Sequence, residues 1–579
     1  MKPKKYFTSP ENIVQKQYEA LRAFYIDQLS ADQTAHKFGY TVSSFYSLVR
    51  DFKNMISDDE RQDPFFVTRK AGRKHKDSDN KIKKLIISLR KKYLSVPDLK
   101  SILDALDYNA SEKYIYNVIK DDGFSRLPRR NIQAKKQAGS AVKLVAPQAV
   151  KLTYVPESFT SQNALAIMCI HPYIQFYGID QIIKSSGYPE TKEIDVLSSI
   201  LSFIALKLSN VRRYSADDVW CMDRGLGLFA GLNVLPKAAW FTSYSHRITR
   251  TTNLSFLRKL NHIWKKTGLL SDTANLDFKT IPYWGDGSHL ENNWSGTRHK
   301  ALASILAVIG HDPQSGIITY GDTTIRHDRE SNVVLEFLDF YKEGGQNELK
   351  YLVFDSKFTT YQNLAKLDPD VKFLTIRRRG KRIVEKLDQL PPKAWKKVRI
   401  PMANGKCRTL RVNDSTHFLR GYEKDIRQIA ITGHGKIKPA LIITNEFNKP
   451  LEEIIHKYAR RWLVEKTISE QIEFFHLNKV SSSMVIKVDF DLTMSILAHN
   501  LIRLFALNLN GYSHKADQTI FDKFLRNSGT VRIGENRVEV KLNKKRNLPA
   551  ILMAMEPFQN KKIKALNNHQ LQISAETRS

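Results

Sequence analysis

The segment Leu349-Lys-Tyr-Leu-Val-Phe-Asp355 restricts the fold more than any other. Its inner run, Tyr351–Phe354, is apolar at every position, so both faces need cover and the strand belongs in the middle of a sheet. Upstream, Thr280–Asp286 reads as a strand. Ala303–Gly310 and Gly316–Tyr320 read as a pair joined by the turn His311-Asp-Pro-Gln-Ser-Gly316. A helix over 331–343 precedes the central strand, and a helix near 359–366 and the strand Val371–Ile376 follow it. Three meandering strands and then alternating helix and strand predict a mixed α/β sheet. Residues 377–448 break the alternation with Arg377-Arg-Arg-Gly-Lys-Arg382 and short strand-like runs at Lys397–Pro401, Thr409–Val412, Ile426–Thr432 and Ala440–Thr444. This is a β-rich, basic insertion. One long helix from Leu451 to about Phe475, a second over Leu492–Leu507 and a hairpin around Gly534-Glu-Asn536 complete the pattern.

Charge narrows the partner. The 579 residues carry 92 Lys and Arg against 59 Asp and Glu, a net charge of +33, which favours a polyanion such as nucleic acid. A hydrophobic content of 42% excludes a wholly disordered chain. The three cysteines, Cys169, Cys221 and Cys407, lie too far apart for a zinc ribbon or a disulfide framework, and suit a reducing compartment. The start, MKPKKYF, lacks the apolar run of a signal peptide, and the apolar stretch near Ala301–Gly310 is too short to span a bilayer.

The first 125 residues read as two helical modules. In the first, Ser30 caps a helix, Gly39 supplies a sharp turn and residues 42–52 form a second helix, with small Ala35 at the crossing. That is the grammar of a helix-turn-helix, whose second helix would expose Ser43, Ser44, Tyr46, Ser47 and Arg50 to the major groove of double-stranded DNA. An ordinary αα-hairpin has the same pattern. A second unit follows, with helices at 80–93, after Ser95 and at 111–121. The linker between them, with Arg69, Lys70, Arg73 and Lys74, suits phosphates or the minor groove. Residues 126–155 carry Arg126, Arg129, Arg130 and four lysines with one acid, Glu157, only beyond them. Gly225-Leu-Gly-Leu-Phe-Ala-Gly231 has GxGxxxG spacing and no preceding strand, so it reads as tight helix packing, not as a dinucleotide loop.

Three acids fall where structure alone would not put them. Asp286 and Asp355 end strands, the usual position of ligands in α/β sheets. Leu451, Ile455, Tyr458 and Trp462 step along one helix face, and the next position on that stripe is Glu465. Three carboxylates at one sheet edge would suit two Mg²⁺ or Mn²⁺ ions and phosphodiester displacement. Taken singly, Asp286 and Asp355 are ordinary turn or cap residues, and Glu465 is a partner for Arg461 one turn away.

Tyr458-Ala-Arg-Arg-Trp-Leu-Val-Glu465 resembles the Y-x2-R-x3-E signature of bacterial insertion-sequence DDE transposases, the group with a β-strand insertion before the glutamate. Asp286 in Trp-Gly-Asp-Gly-Ser-His and Asp355 in Val-Phe-Asp-Ser resemble the two aspartate motifs. The likeness covers about 280–505. It implies an RNase H-like catalytic core that cuts DNA at element ends and joins the freed 3′-OH to target DNA, with Tyr458 and Arg461 near the DNA phosphates. Two ends to cut and one site per chain lead to the expectation of a homodimer on paired ends, in a cytoplasmic, nucleoid-associated protein. The family's lysine seven residues after the glutamate is Ile472 here, with Lys466 and Lys479 as substitutes. Trp462 reads as core, with an aromatic probe for a flipped base as the alternative, a role for which Trp395 is a second candidate. A metal-dependent endonuclease without strand transfer and a domesticated DNA-binding regulator are the alternatives.

The expected architecture is multidomain α+β. It comprises a helix-turn-helix module (1–60), a basic linker (61–79), a second module (80–125), a basic linker (126–159) and a helical domain (160–277). An RNase H-like mixed α/β core (278–376 and 449–510) follows, interrupted by the insertion (377–448), and a C-terminal region (511–579) ends the chain.

Overall fold

The computed structural model describes residues 3–57, 65, 81–91, 94–106, 108–124, 151–152, 154–212, 220–283, 290–295, 299–344, 349–358, 360–401, 407–435, 439–477 and 485–576. The chain forms two units, Met1–Asn80 and Lys81–Ser579.

After a short helix at Pro3–Thr8, the first unit packs α1 (Ile13–Tyr25), α2 (Ala31–Phe38) and α3 (Val42–Ile56). Capping explains their bounds. Ser30 and Gln33 close a reciprocal box at the start of α2, and Thr41 and Ser44 do the same for α3. Gly39, at φ +66°, ends α2 in the left-handed conformation that a Cβ would strain. Ala35, Phe38, Phe45 and Val49 then meet in the small core.

The second unit opens with α4 (Lys81–Arg90), α5 (Val96–Ala105) and α6 (Glu112–Asp121) around Ile86, Leu99, Leu103 and Ile115. Strand β1 (Glu157–Ser161) and helices α7 (Val196–Leu208) and α8 (Arg250–Lys266) come next. Gly225 and Gly227 lie in a short helix between α7 and α8. A Cβ on Gly225 would sit 2.4 Å from Ser161 Oγ, and one on Gly227 2.6 Å from the Asn233 carbonyl oxygen. The glycines permit close packing, as their spacing predicts.

The large sheet contains β2 (Thr273–Pro282), β3 (Asn292–Ser295), β4 (Lys300–His311), β5 (Ile318–Ile325), β6 (Tyr351–Phe354) and β7 (Lys372–Ile376). Helix α9 (Val333–Glu343) precedes β6, and α10 (Tyr361–Leu367) links β6 to β7. Their order across the sheet is β5–β4–β2–β6–β7, antiparallel through β5, β4 and β2 and parallel through β2, β6 and β7. This mixed α/β arrangement is consistent with an RNase H-like core. As the apolar run predicts, β6 is buried throughout and has a neighbour on each side. After α11 (Lys381–Asp388), the strands β8 (Lys396–Pro401), β9 (Cys407–Leu419), β10 (Lys424–Thr432) and β11 (Ala440–Thr444) continue the same sheet from β7 in the order β11–β10–β9–β8.

Two sequence expectations are corrected here. The first strand begins at Thr273, seven residues before the expected start at Thr280, and ends at Pro282. Buried Asn275 and half-buried Asp277 interrupt its apolar half and disguise it as the end of the helical region. The expected helix from Leu451 to Phe475 is two helices, α12 (Leu451–Ala459) and α13 (Trp462–Glu473). Asn275 Nδ2 donates to the Arg460 carbonyl at 3.0 Å, satisfying a backbone acceptor at the break.

Helix α14 (Val485–Leu507) crosses beneath β5, close enough that a Cβ on Gly321 would lie 2.4 Å from Ile496 Cδ1. Residues 487–507 are long and apolar enough to cross a membrane by length and composition, but they are a core helix, 89% buried in the protein. The short α15 (Asp517–Ile520) packs on it. Strands β12 (Gly529–Ile533), β13 (Arg537–Leu542), β14 (Lys562–Ile563) and β15 (His569–Ala575) join β1 in a second sheet, and β12 and β13 form the expected hairpin.

Candidate active site

Parallel pairing of β2 with β6 sets the first two acids of the site side by side. The last paired residues are Asn275 and Val353, and two positions beyond each lie Asp277 and Asp355. Alternation along β2 puts Asp277 on the same face as Asn275, the face that meets the α12–α13 break. The backbone there tightens into three-residue hydrogen bonds, with Leu463 N donating to Arg460 O at 3.1 Å and Val464 N to Arg461 O at 3.0 Å. That turn delivers Arg461 and, four residues on, Glu465.

Arg461 joins the acids. Its Nη1 donates to Asp277 Oδ2 at 2.8 Å and its Nη2 to Glu465 Oε1 at 2.7 Å. The side chains of Asp277 and Arg461 are 15% and 16% exposed, whereas that of Glu465 is 54% exposed, so the site has a buried floor and an open rim. Burial, set against the pull of Arg461, pushes the Asp277 carboxyl up to about 6, and Glu465 and Asp355 push in the same direction. Burial lowers the Arg461 pKa, but Tyr458, Asp277, Glu465 and Asp355 outweigh it and hold the guanidinium firmly charged. Burial also lifts the Tyr458 phenol to about 12. Asp355 accepts from its neighbour Ser356, whose Oγ lies 3.1 Å away. Beside it, Phe278 and Phe358 stack with centroids 3.8 Å apart.

The donor set fits a divalent cation. Three carboxylates against one guanidinium leave two negative charges uncompensated, and hard oxygen donors suit Mg²⁺ or Mn²⁺.

A second cluster on α13 differs. His499 Nδ1 lies 2.6 Å from Asp517 Oδ2 and 3.9 Å from Glu470 Oε2, and Arg503 Nη2 lies 3.4 Å from Asp517 Oδ1. His499 Nε2 faces the Gly316 carbonyl at 2.9 Å, which only an N–H can satisfy. Burial lowers the His499 pKa, but Asp517 and Glu470 outweigh it and hold the imidazole above its ordinary value. An imidazolium and a guanidinium thus match two carboxylates with no added ion.

Of the sequence-predicted residues, Asp355, Glu465, Tyr458 and Arg461 come together. Asp286 lies outside the described residues, as do Arg69, Lys70, Arg73, Lys74, Arg129, Arg130 and Lys479. Asp277 is the acid that the sequence reading missed. The available signal was the alternation of Leu276, Phe278 and Thr280 with Asn275, Asp277 and Lys279, a strand pattern starting earlier than expected. Trp462 is corrected from core to surface: the break resets the helical phase, leaving it 51% exposed while Val464 turns inward. Glu465 likewise lies at the rim, not on a buried stripe. Ile472 packs against the main core, and Trp395 packs near Leu387, Ala430 and Leu441. In the first unit, Ser43, Ser44, Tyr46, Ser47 and Arg50 are all exposed, although Ser44 is engaged with Thr41 in the α3 cap and Arg50 pairs with Asp51 at 3.4 Å.

Residues 275–501 match the family model described as the transposase DDE domain, a span that starts at Asn275 and takes in Asp277, Asp355 and Glu465. No curated protein matches the chain. Over that span, the chain is similar to the transposase DDE domain family.

Proposed function

We propose that the protein is a DNA transposase that binds the terminal inverted repeats of a mobile element, cuts at its ends and joins the 3′-OH ends to target DNA. The observation that carries this reading is the meeting of Asp277, Asp355 and Glu465 around Arg461. In it Asp277 is the first acid of the triad, in place of the Asp286 expected from the sequence. The three carboxylates would hold two Mg²⁺ or Mn²⁺ ions, which when bound supply activation of the attacking oxygen and neutralisation of the leaving one. The chain's residues do the rest. Asp277 and Asp355 fix two ligand positions on rigid adjacent strands, and Glu465 adds a third from a helix start. Arg461, beside the exposed Glu465 and near the Tyr458 ring, would turn to a phosphate entering from the open rim, the contact that guanidinium groups make best.

End recognition falls to the N-terminal helices. Tyr46, Ser47 and Arg50 on α3 form an exposed face for base edges, while the basic linkers supply phosphate contacts that do not discriminate sequence. Two ends and one site per chain call for a homodimer on paired ends.

The test is a strand-transfer assay using the inverted repeats that flank the coding DNA, pre-cut to expose 3′-OH. Joining to a target plasmid in Mg²⁺ is the expected result. Nicking without joining would instead make the protein an endonuclease, and end binding without nicking a regulator.

A further inference from the structure

We propose that Arg461 is a built-in counter-ion that closes the carboxylate site until a DNA phosphate draws it away. This rests on the reading that Asp277, Asp355 and Glu465 hold divalent ions. One guanidinium spans two of the three carboxylates, Nη1 to Asp277 at 2.8 Å and Nη2 to Glu465 at 2.7 Å. The same two carboxylates would offer oxygen donors to a divalent ion. A divalent ion held by those carboxylates meets like-charge repulsion from the guanidinium set between them. Ion entry and the resting pose of Arg461 therefore compete.

The resting pose is also incomplete. Arg461 Nε is buried and has no hydrogen-bond partner, although both terminal nitrogens are used. Among the described side chains at the site, this is a donor left over. A phosphate presents several acceptor oxygens and takes the guanidinium fork readily, so a backbone arriving at the open rim offers Arg461 a better-satisfied position. The acids it leaves then lack a counter-charge and take up metal. DNA and metal would thus promote each other's binding, and the effect is reciprocal by necessity. Such a device keeps an uncommitted nuclease site short of metal in the absence of DNA.

The experiment measures Mn²⁺ affinity of the full chain without DNA by electron paramagnetic resonance, for wild type, Arg461→Gln, Asp277→Asn and the double variant. Arg461→Gln is expected to bind Mn²⁺ tighter by about tenfold or more, within the ordinary range of coupling between sites. Adding Asp277→Asn should abolish that gain. Arg461→Met, which keeps an apolar stem and removes the charge, should repeat the gain and stands in if the glutamine variant does not fold. A second readout is the affinity for a fluorescent random-sequence duplex: Mn²⁺ should tighten wild-type binding by a larger factor than it tightens binding by Arg461→Gln. Equal Mn²⁺ affinity in wild type and both Arg461 variants, with Asp277→Asn still weakening it, would overturn the counter-ion role and leave the metal site standing. No effect of Asp277→Asn in any background would overturn the metal reading itself.

Discussion

Helix α13 carries two acidic clusters five residues apart, built from the same chemistry to opposite ends. Around Glu465, three carboxylates share one guanidinium, and Glu465 is half open to solvent. Around Glu470, two carboxylates meet a guanidinium and an imidazolium, and the side chains of His499 and Asp517 are fully enclosed. Donor spacing does not single out the open cluster, since among the described residues Glu470, His499 and Asp517 form the group whose ligand atoms lie within 4.8 Å of one another. Charge balance and access do. A site short of positive charge and open at its rim invites a cation, while a balanced, sealed one holds helices together.

Breaking the open cluster should cost activity. Asp355→Asn or Glu465→Gln is expected to lower DNA nicking by about a thousandfold, the scale of the charge stabilisation a metal supplies, with end binding retained in a gel shift. Either variant nicking at near wild-type rate would remove that residue from the site. Breaking the sealed cluster should cost stability instead. Asp517→Asn leaves Arg503 and His499 buried without their anion, for a loss of about 3–5 kcal/mol in chemical denaturation. Nicking per folded molecule should stay near wild type. If it falls as far as in the Glu465 variant, the division between the clusters is wrong.

The sealed cluster should also set a pH dependence. Burial, reinforced by Asp517, pushes the Glu470 carboxyl from 4.5 up to about 7. The folded protein therefore holds that proton where the unfolded chain releases it, so this group's contribution falls as pH rises from about 4.5 to about 7. His499 acts with the same sign: its pKa is raised on folding, and its contribution is lost as pH rises through the folded value. Stability should be lower at pH 8 than at pH 5 by a margin that Glu470→Gln reduces. An unchanged margin would show that Glu470 does not titrate in that window. The smallest effect concerns Trp462. Being half exposed, it should change stability by no more than about 0.5 kcal/mol when replaced by alanine, whereas a core tryptophan costs about 3–5 kcal/mol.

Much of this is legible in the sequence. The apolar run of β6 marks the sheet's interior and Asp355 at its end, and the likeness to the Y-x2-R-x3-E signature singles out Glu465 as a candidate, although not on the buried stripe that its spacing suggests. Capping residues Ser30 and Thr41 and the turn at Gly39 define α2 and α3. What escaped depends on contacts between distant segments. Asp277 sits in a strand whose buried polar residues make sense only once Asn275 meets Arg460 and Asp277 meets Arg461, each more than 180 residues away in sequence. The α12–α13 break is invisible to periodicity, because no proline or glycine marks it. The continuation of the sheet through β11 to β8 depends on β7 pairing with β11 across the insertion, which no local pattern encodes.

The most direct test of the central claim sets Asp277→Asn beside Asp286→Asn, measuring nicking of a supercoiled plasmid carrying both element ends in Mg²⁺. With Asp277 as the first acid of the triad, its asparagine variant should fall by about a thousandfold while Asp286→Asn keeps most of its rate. Near wild-type nicking by Asp277→Asn, with Asp286→Asn inactive, would contradict it.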